Sequence, residues 1–168
     1  MRDNLSQFGF GKELEMQWIT NSAGKIIDNP KLYDIDKASL GYGYSLTSNS
    51  LQIARAYSVF ANEGVMIEPR ILPDIKSERV RVLSKSTASF ILDSLRMTVL
   101  DGTASNLKNE RIEIAGKTGT SEKYIEGVGY ASEKYISSFA SIFPYNNPKF
   151  IMIVSVSYTH LRAHETYV

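Results

Sequence analysis

The sequence of 168 residues contains no cysteine, one tryptophan and two histidines. The absence of cysteine excludes disulfides, a thiolate nucleophile and zinc sites with cysteine ligands. An excess of charge of one sign is also missing, because 19 Lys and Arg residues against 18 Asp and Glu residues give a formal net charge of +1. This balance argues against a nucleic-acid partner and against a polybasic membrane patch.

Long apolar runs are absent as well. No stretch reaches the ~18 apolar residues of a transmembrane helix, and the segment Met1–Leu5 is not followed by the apolar core of a signal peptide. The composition is nevertheless globular, with 43% hydrophobic and 22% charged residues. The length corresponds to one domain or to part of one.

Two helices are predicted in the first two thirds of the chain. The first lies near residues 51–63, where an apolar face recurs at helical spacing, with N-cap candidates before it and a glycine stop after it. The second lies near 87–100, and its apolar residues are expected to be buried. Those faces comprise Ile53, Tyr57, Phe60 and Ala61 in the first helix and Phe90, Ile91, Leu95, Met97 and Val99 in the second.

The last third of the chain reads as strands. One strand is predicted within 112–120, one alternates between apolar and polar over 135–143, and the apolar run 150–154 is typical of a strand covered on both faces. Residues 122–134, between the first two strands, are expected to form a long loop. Helices followed by successive strands predict an α+β fold with an antiparallel sheet of three C-terminal strands and flanking helices.

One motif at the end of the first of these strands carries chemistry. It comprises Lys117, Thr118, Gly119, Thr120 and Ser121. The lysine brings an ammonium group, the two threonine hydroxyls share one side of a strand, and the glycine lets another backbone lie against the strand. The motif therefore predicts a cradle for an anion or a peptide. A strand end with a solvated lysine is the alternative, and the five residues alone do not decide between them.

The surrounding sequence extends this motif into a resemblance. In order and spacing, five blocks resemble the second half of the transpeptidase domain of class B penicillin-binding proteins, over roughly residues 5–156. The blocks are Gly9–Gly11, Gly41–Gly43, Leu51–Tyr57, Ala61–Gly64 and Ala115–Thr120. The resemblance implies part of the fold shared by serine transpeptidases and β-lactamases.

The resemblance also implies roles. Lys117, Thr118 and Thr120 would bind the carboxylate of a D-alanyl stem peptide of peptidoglycan or of a β-lactam antibiotic, Gly119 would let the ligand approach, and the Thr120 N–H would serve the oxyanion hole. Ser121 is adjacent and is included in the binding site. Such enzymes form an acyl-serine intermediate and cross-link peptidoglycan together with a cell-wall synthesis machinery, without a cofactor or a metal.

The nucleophile is the missing part of the pattern. The family needs Ser-x-x-Lys at the start of a helix, but Ser22–Lys25 falls on the turn of a hairpin predicted over 18–27, and Ser105–Lys108 falls in a connecting segment. Thr47–Asn49 mimics the family's Ser-x-Asn but is better interpreted as a helix cap. We therefore expect a C-terminal piece of such a domain, inactive alone, whose serine and periplasmic membrane anchor precede this chain.

The other end departs from the family too. Residues 157–168 are expected to be a non-native tail, and residues 1–156 the domain piece. His160 and His164 lie in this tail at i, i+4 spacing, which is compatible with a metal site, although no metal is expected. Two alternatives to the transpeptidase remain open: a serine β-lactamase or D,D-carboxypeptidase, and a non-catalytic module that binds peptidoglycan peptides.

Overall fold

The computed structural model describes residues 2–16, 20–26, 33–125 and 129–157. The chain divides into two compact units, Met1–Ser89 and Phe90–Val168. The mixed helices and antiparallel strands confirm the predicted α+β class. None of the helices in the described ranges is long and apolar enough to cross a membrane.

The first unit consists of short helices and two small antiparallel ladders, β1 with β2 and β3 with β4. Its elements are α1 Arg2–Gln7, β1 Lys25–Ile26, α2 Asp34–Gly41, β2 Leu46–Thr47, α3 Ser50–Ala61, β3 Val65–Ile67 and β4 Arg79–Arg81. The helix α4, Lys85–Leu100, begins in this unit and continues into the second.

Helix α3 is the predicted first helix, and it begins and ends for the expected reasons. Asn49 is its N-cap: its side chain accepts from the Gln52 N–H at 2.8 Å, and the Gln52 side chain accepts from the Asn49 N–H at 3.0 Å, which completes a capping box. Gly64 follows the helix at a φ of +91°, and its N–H donates to Val59. The Thr47–Asn49 segment is thus a cap, as predicted.

The buried face of α3 is not the predicted one. Ile53, Tyr57 and Phe60 are only half-buried, and the buried residues of the helix are Gln52, Arg55, Ala56, Ser58 and Val59. The two long polar members of this set, Gln52 and Arg55, are buried with their side chains bonded to backbone groups far along the chain.

Gln52 and Arg55 show how this works. The Gln52 amide donates to the carbonyls of Lys12 and Ala23, both at 2.8 Å. The Arg55 guanidinium is 5% exposed and donates twice to the Glu68 carboxylate, at 3.0 and 3.1 Å, and also to the carbonyl of Gly9. These long polar side chains hold the loop-rich N-terminal segment against α3.

The hairpin predicted over 18–27 has β1 in its second strand. In the described residues β1 pairs with β2, with Lys25 opposite Thr47. Residues 17–19 lie outside the described residues, so the predicted first strand is untested. Gly24, at a φ of +67°, leaves no room for a side chain, because a Cβ there would lie 2.1 Å from the Thr47 carbonyl oxygen.

Helix α4 covers the predicted second helix and starts two residues earlier. The Ser84 hydroxyl accepts from the Thr87 N–H at 3.1 Å and caps it. The predicted burial of its apolar stripe is wrong for Phe90 and Met97, which are 73% and 56% exposed, although Val99 is fully buried. Apolar periodicity predicted the helix correctly but predicted more buried side chains than the helix has.

The second unit contains a three-stranded antiparallel sheet. Its strands, in the spatial order β5-β6-β7, are β5 Ala115–Ile125, β6 Gly129–Phe143 and β7 Phe150–Ser157. Ala115 and Ile142 face each other in the register and are fully buried, as is Val99 of α4. This core fixes the start of β5.

The predicted long loop over 122–134 is wrong. Strand β5 runs on to Ile125 and β6 starts at Gly129, so the two strands form one long hairpin. The register shifts once, between Glu122 and Lys123. Backbone pairing therefore continues on both sides of this irregularity, through a polar, glycine-containing stretch.

Strand β7 is not covered on both faces within the described residues. Its alternate side chains on one face are 43–61% exposed. They are Phe150, Met152, Val154 and Val156. We call this set the β7 apolar face. The prediction that the run 150–154 is buried on both sides is therefore wrong.

Candidate functional site

The predicted cradle lies on β5, an end strand of the described sheet. Lys117 stands opposite Ala140, Gly119 opposite Ser138 and Thr120 opposite Ser137. Lys117, Gly119 and Thr120 are exposed. The start of the strand is buried, so the motif begins where β5 leaves the core.

Lys117 and Thr118 form the charged part of the site. The Lys117 ammonium donates to the Thr118 carbonyl at 2.8 Å and to the Thr118 hydroxyl at 3.3 Å. Both side-chain groups are therefore within reach of one small anion. Exposure keeps the ammonium hydrated, so its attraction for an anion is moderate in water.

The backbone of β5 presents alternate groups to its two edges. The carbonyls of Gly116 and Thr118 accept side-chain bonds from Thr98 and Lys117, whereas the Gly119 carbonyl accepts from the Ser138 hydroxyl on β6 at 3.3 Å. Since backbone direction alternates along a strand, we expect the N–H and carbonyl of Thr120 to share the outer edge with the Thr118 carbonyl.

Two glycines are sterically required. A Cβ on Gly116 would lie 2.7 Å from the Ala140 carbonyl oxygen, and a Cβ on Gly119 would lie 2.8 Å from the Ser138 hydroxyl. The first contact is with backbone and cannot yield easily. The second is with a short side chain, so the glycine of the motif is also fitted to its neighbouring strand.

Side chains near the end of α4 form hydrogen bonds with the backbone at the start of β5. The sequence did not predict these contacts. The Thr98 hydroxyl lies within hydrogen-bond distance of the Gly116 carbonyl and of the Leu95 carbonyl, and Arg96 donates to the Ile114 carbonyl at 2.9 Å. Arg96 also lies 3.6 Å from the Glu113 carboxylate. Threonine and arginine side chains bonded to backbone leave no apolar pattern, so nothing in the sequence signalled them.

A tyrosine adds to this attachment. The Tyr145 hydroxyl donates to the Asp93 carboxylate at 2.7 Å, and its N–H donates to the Glu113 carbonyl at 2.7 Å. The hydrogen bond to Asp93 raises the pKa of Tyr145 above its ordinary value, with smaller contributions from burial and the nearby acidic charges. The hydrogen bond from Tyr145 to Asp93 exists only while the Tyr145 phenol is protonated.

A third hydroxyl lies at the motif. The Thr103 hydroxyl, from the turn after α4, is 2.7 Å from the Thr118 hydroxyl. No sequence pattern points to Thr103. It lies beside Thr118 only because the turn after α4 folds next to β5.

Neither Ser-x-x-Lys lookalike has the required geometry. Ser22 lies in a turn, where its hydroxyl accepts from the Gly24 N–H at 3.2 Å. Ser105 starts a three-residue 3-10 helix, Ser105–Leu107, and not an α-helix. Neither serine therefore stands at the start of an α-helix in the described residues.

The described residues contain no group of three or more His, Asp or Glu side chains that could hold a metal ion. His160 and His164 lie outside the described residues. Ser157 is the last residue of β7 and stands opposite Ile136, and residues 158–168 lie outside the described residues, so the non-native tail over 157–168 stays a prediction.

Comparisons with known proteins show which family of proteins this chain is similar to. The family model described as "Penicillin binding protein transpeptidase domain" matches residues 1–167. The chain is 30% identical over 157 residues to the probable peptidoglycan D,D-transpeptidase PbpC of Pseudomonas aeruginosa, covering 92% of the chain and 27% of PbpC. It is 28% identical over 159 residues to the peptidoglycan D,D-transpeptidase FtsI of Escherichia coli, covering 92% of the chain and 26% of FtsI.

Solved structures agree with these relatives. The apo transpeptidase domain of penicillin-binding protein 3 from Burkholderia pseudomallei matches with a TM-score of 0.82 at 28% identity, covering 92% of this chain and 48% of that one. The Mycobacterium tuberculosis penicillin-binding protein 3 complexed with ampicillin matches with a TM-score of 0.81 at 28% identity, covering 92% and 38%.

The chain spans about a quarter of the length of the curated relatives it matches. The match to the family model nevertheless covers nearly all of this chain, and the matched structures share its arrangement of helices and antiparallel strands. The chain therefore belongs to the penicillin-binding protein transpeptidase domain family.

Proposed function

We propose that this chain supplies the carboxylate-binding strand of a peptidoglycan D,D-transpeptidase. The observation that carries the proposal is the convergence of the Lys117 ammonium and the Thr118 hydroxyl, 3.3 Å apart, on the outer edge of β5. An ammonium and a hydroxyl side by side suit the terminal carboxylate of a D-alanyl stem peptide, because both can donate to its oxygens.

The backbone of β5 would hold the same ligand as an added strand. With Thr120 N–H and carbonyl expected on the outer edge, an extended peptide can pair with β5 while Gly119 leaves room above it. The Thr120 N–H would also serve as an oxyanion donor during acyl transfer, a contribution worth ~10²–10³ in rate. Ser121, half-buried next to it, belongs to the same strand edge.

β-lactam antibiotics would use the same groups. The Mycobacterium tuberculosis relatives are solved with aztreonam and with ampicillin, and both drugs carry an acidic group. We propose that Lys117 and Thr118 bind this group. Because peptidoglycan lies outside the cytoplasmic membrane, we place the site on the extracytoplasmic face, together with the cell-wall synthesis machinery as partner.

Acylation is expected to need a serine other than those described. Neither lookalike serine stands at the start of an α-helix with a lysine one turn later, which is the arrangement that activates the hydroxyl. The chain by itself is therefore proposed to bind without turning over. A non-catalytic peptide-binding module is the second candidate, and the same absence of an activated serine favours it.

The test uses the 168-residue chain and two probes, an N-acetylated D-Ala-D-Ala dipeptide and its C-terminal amide, followed by backbone amide NMR shifts. We expect the free acid to shift the amides of residues 117–121 and to bind about tenfold more tightly than the amide form, since a hydrogen bond to a charged group is lost with the carboxylate. Equal affinity for both probes would refute carboxylate recognition.

Two matched lysine variants test whether Lys117 causes the preference for the free acid. Lys117→Ala should remove the preference for the free acid, whereas Lys149→Ala, which deletes an exposed lysine at the start of β7, should retain it. Intact mass after incubation with ampicillin should show no covalent adduct. An adduct on a folded chain would place the nucleophile in this chain and would overturn the proposal that the chain binds its ligand without being acylated.

A further inference from the structure

The turn that follows α4 holds Thr103 in a defined place. The Ala104 N–H donates to the Thr98 carbonyl at 3.1 Å, and the Ser105 N–H donates to the Gly102 carbonyl at 3.2 Å. Ala104 is buried, and a Cβ on Gly102 would lie 2.8 Å from the Thr98 backbone. The turn is therefore set by its own backbone bonds.

Thr98 links this turn to the site. Its carbonyl accepts from the Ala104 N–H of the turn, and its hydroxyl lies within hydrogen-bond distance of the carbonyls of Leu95 and of Gly116 at the start of β5. One residue thus contacts both the backbone beside Thr103 and the backbone that leads to Thr118. The 2.7 Å contact between the Thr103 and Thr118 hydroxyls results from two anchored segments and not from a free side chain.

The Thr118 hydroxyl can form only a few hydrogen bonds, so the contact with Thr103 affects which of them remain for a ligand. A hydroxyl has one proton and two acceptor lone pairs. The Lys117 ammonium can only donate, so it occupies one lone pair of Thr118. If Thr103 donates to the second lone pair, the single proton of Thr118 has no partner among these groups and is available to a ligand.

We infer that Thr103 is a positioning residue of the carboxylate site, and this inference rests on the proposed function. Its O–H donates to the Thr118 hydroxyl, which directs the Thr118 O–H toward the terminal carboxylate of the peptide. Donation from Thr103 also polarises the Thr118 O–H, because hydrogen bonds in a chain strengthen one another. Without Thr103, the Thr118 proton can turn toward solvent, and the site loses its directed donor.

The variants Thr103→Val and Thr103→Ser test this inference with the two dipeptide probes. Valine keeps the shape and removes the hydroxyl, whereas serine keeps the hydroxyl. We expect Thr103→Val to weaken binding of the free acid about three- to tenfold, as for one lost hydrogen bond, with the amide probe unchanged. Thr103→Ser should stay within about twofold of the parent chain by the same reasoning.

A double-mutant cycle supplies the control. In a Thr118→Val background, Thr103→Val should have no further effect, because the hydroxyl that it directs is gone. Thr103→Ala provides a second deletion of the hydroxyl should the valine variant fold poorly, and far-UV circular dichroism checks both.

The possible outcomes separate the two claims. If Thr103→Val weakens both probes equally, the residue only supports the turn, and the inference is overturned. If Lys117→Ala abolishes the preference for the free acid but Thr103→Val leaves it intact, the proposed function stands and the inference fails. If the parent chain shows no preference for the free acid, both fail.

Discussion

Replacing Arg55 by methionine should destabilise the first unit severely. The guanidinium is 5% exposed and makes two bonds to Glu68 and one to the Gly9 carbonyl. The substitution keeps an apolar stem of similar length and deletes the charge. It leaves a carboxylate and a backbone carbonyl without the donor that the fold provides.

The magnitude follows from the burial of the partner that remains. Removing one member of a buried ion pair costs ~3–5 kcal/mol. The Glu68 side chain is 18% exposed, so water can reach part of its carboxylate, and we expect the lower end, about 3 kcal/mol. For a chain of this length the melting temperature should then fall by roughly 6–12 °C.

Urea unfolding followed by far-UV circular dichroism measures the loss. Arg79→Met is the matched control, because Arg79 is an exposed arginine on β4 of the same unit, and it should change the free energy of unfolding by less than ~0.5 kcal/mol. A loss below ~1 kcal/mol for Arg55→Met would show that the pair contributes little, and would refute this reasoning.

The double variant Arg55→Met with Glu68→Leu sharpens the argument. An apolar pair of similar volume often replaces a buried ion pair without loss. The double variant should therefore be more stable than the sum of the two single losses implies, by at least ~1 kcal/mol. Simple additivity would mean that the two side chains are not coupled.

Three further predictions concern other parts of the chain. Gly9→Ala should cost at least ~1 kcal/mol more in unfolding free energy than Gly43→Ala, because both have positive φ but only at Gly9 would the Cβ lie 2.3 Å from the Arg55 guanidinium, whereas Gly43 has nothing within 4 Å; equal losses would contradict this. The raised pKa of Tyr145 predicts that its bond to Asp93 stabilises the fold fully below pH ~10 and is lost as the pH rises through the raised value. The stability difference from Tyr145→Phe should accordingly vanish at high pH, and a difference that persists there would argue against the bond. The exposed β7 apolar face predicts that the chain self-associates in sedimentation or light scattering, and Val154→Lys should reduce that association because it places a charge in this face; a monomeric parent chain, or association unchanged by the substitution, would contradict this.

Periodicity predicted the helices and strands but not the identity of the buried face. Helix α3 was expected to bury Ile53 and Tyr57, yet Gln52 and Arg55 lie deeper. A hydropathy pattern treats a polar side chain as outward-facing, because burial of a polar group is costly unless it is bonded. Here the bonds go to carbonyls far along the chain, and such long-range partners are invisible in a local window.

The long hairpin was missed for a related reason. Residues 122–134 contain glycines and charges, which favour a loop, but the ladder between β5 and β6 is made by backbone groups and needs no apolar side chain. Pairing between the two strands resumes after the register shift between Glu122 and Lys123. The strand that carries residues 117–120 was predicted because the motif follows an apolar strand start, whereas Thr103, which contacts Thr118 from a turn, leaves no local pattern.

The two edges of the described sheet differ in chemistry, and under the proposed function this difference would keep the edge of β5 available to its ligand. An unpaired strand edge invites pairing with any other strand, and β7 adds an apolar face to that hazard. On β5 the Lys117 ammonium bonds the Thr118 carbonyl, which is the acceptor that an added strand would need. Under the proposed function, a ligand carboxylate would offer the ammonium a stronger partner than a neutral carbonyl, so Lys117 would turn from the Thr118 carbonyl toward the ligand. A peptide without a carboxylate would not form this charge-assisted bond, so the proposal predicts that Lys117 favours the acidic peptide over other strands.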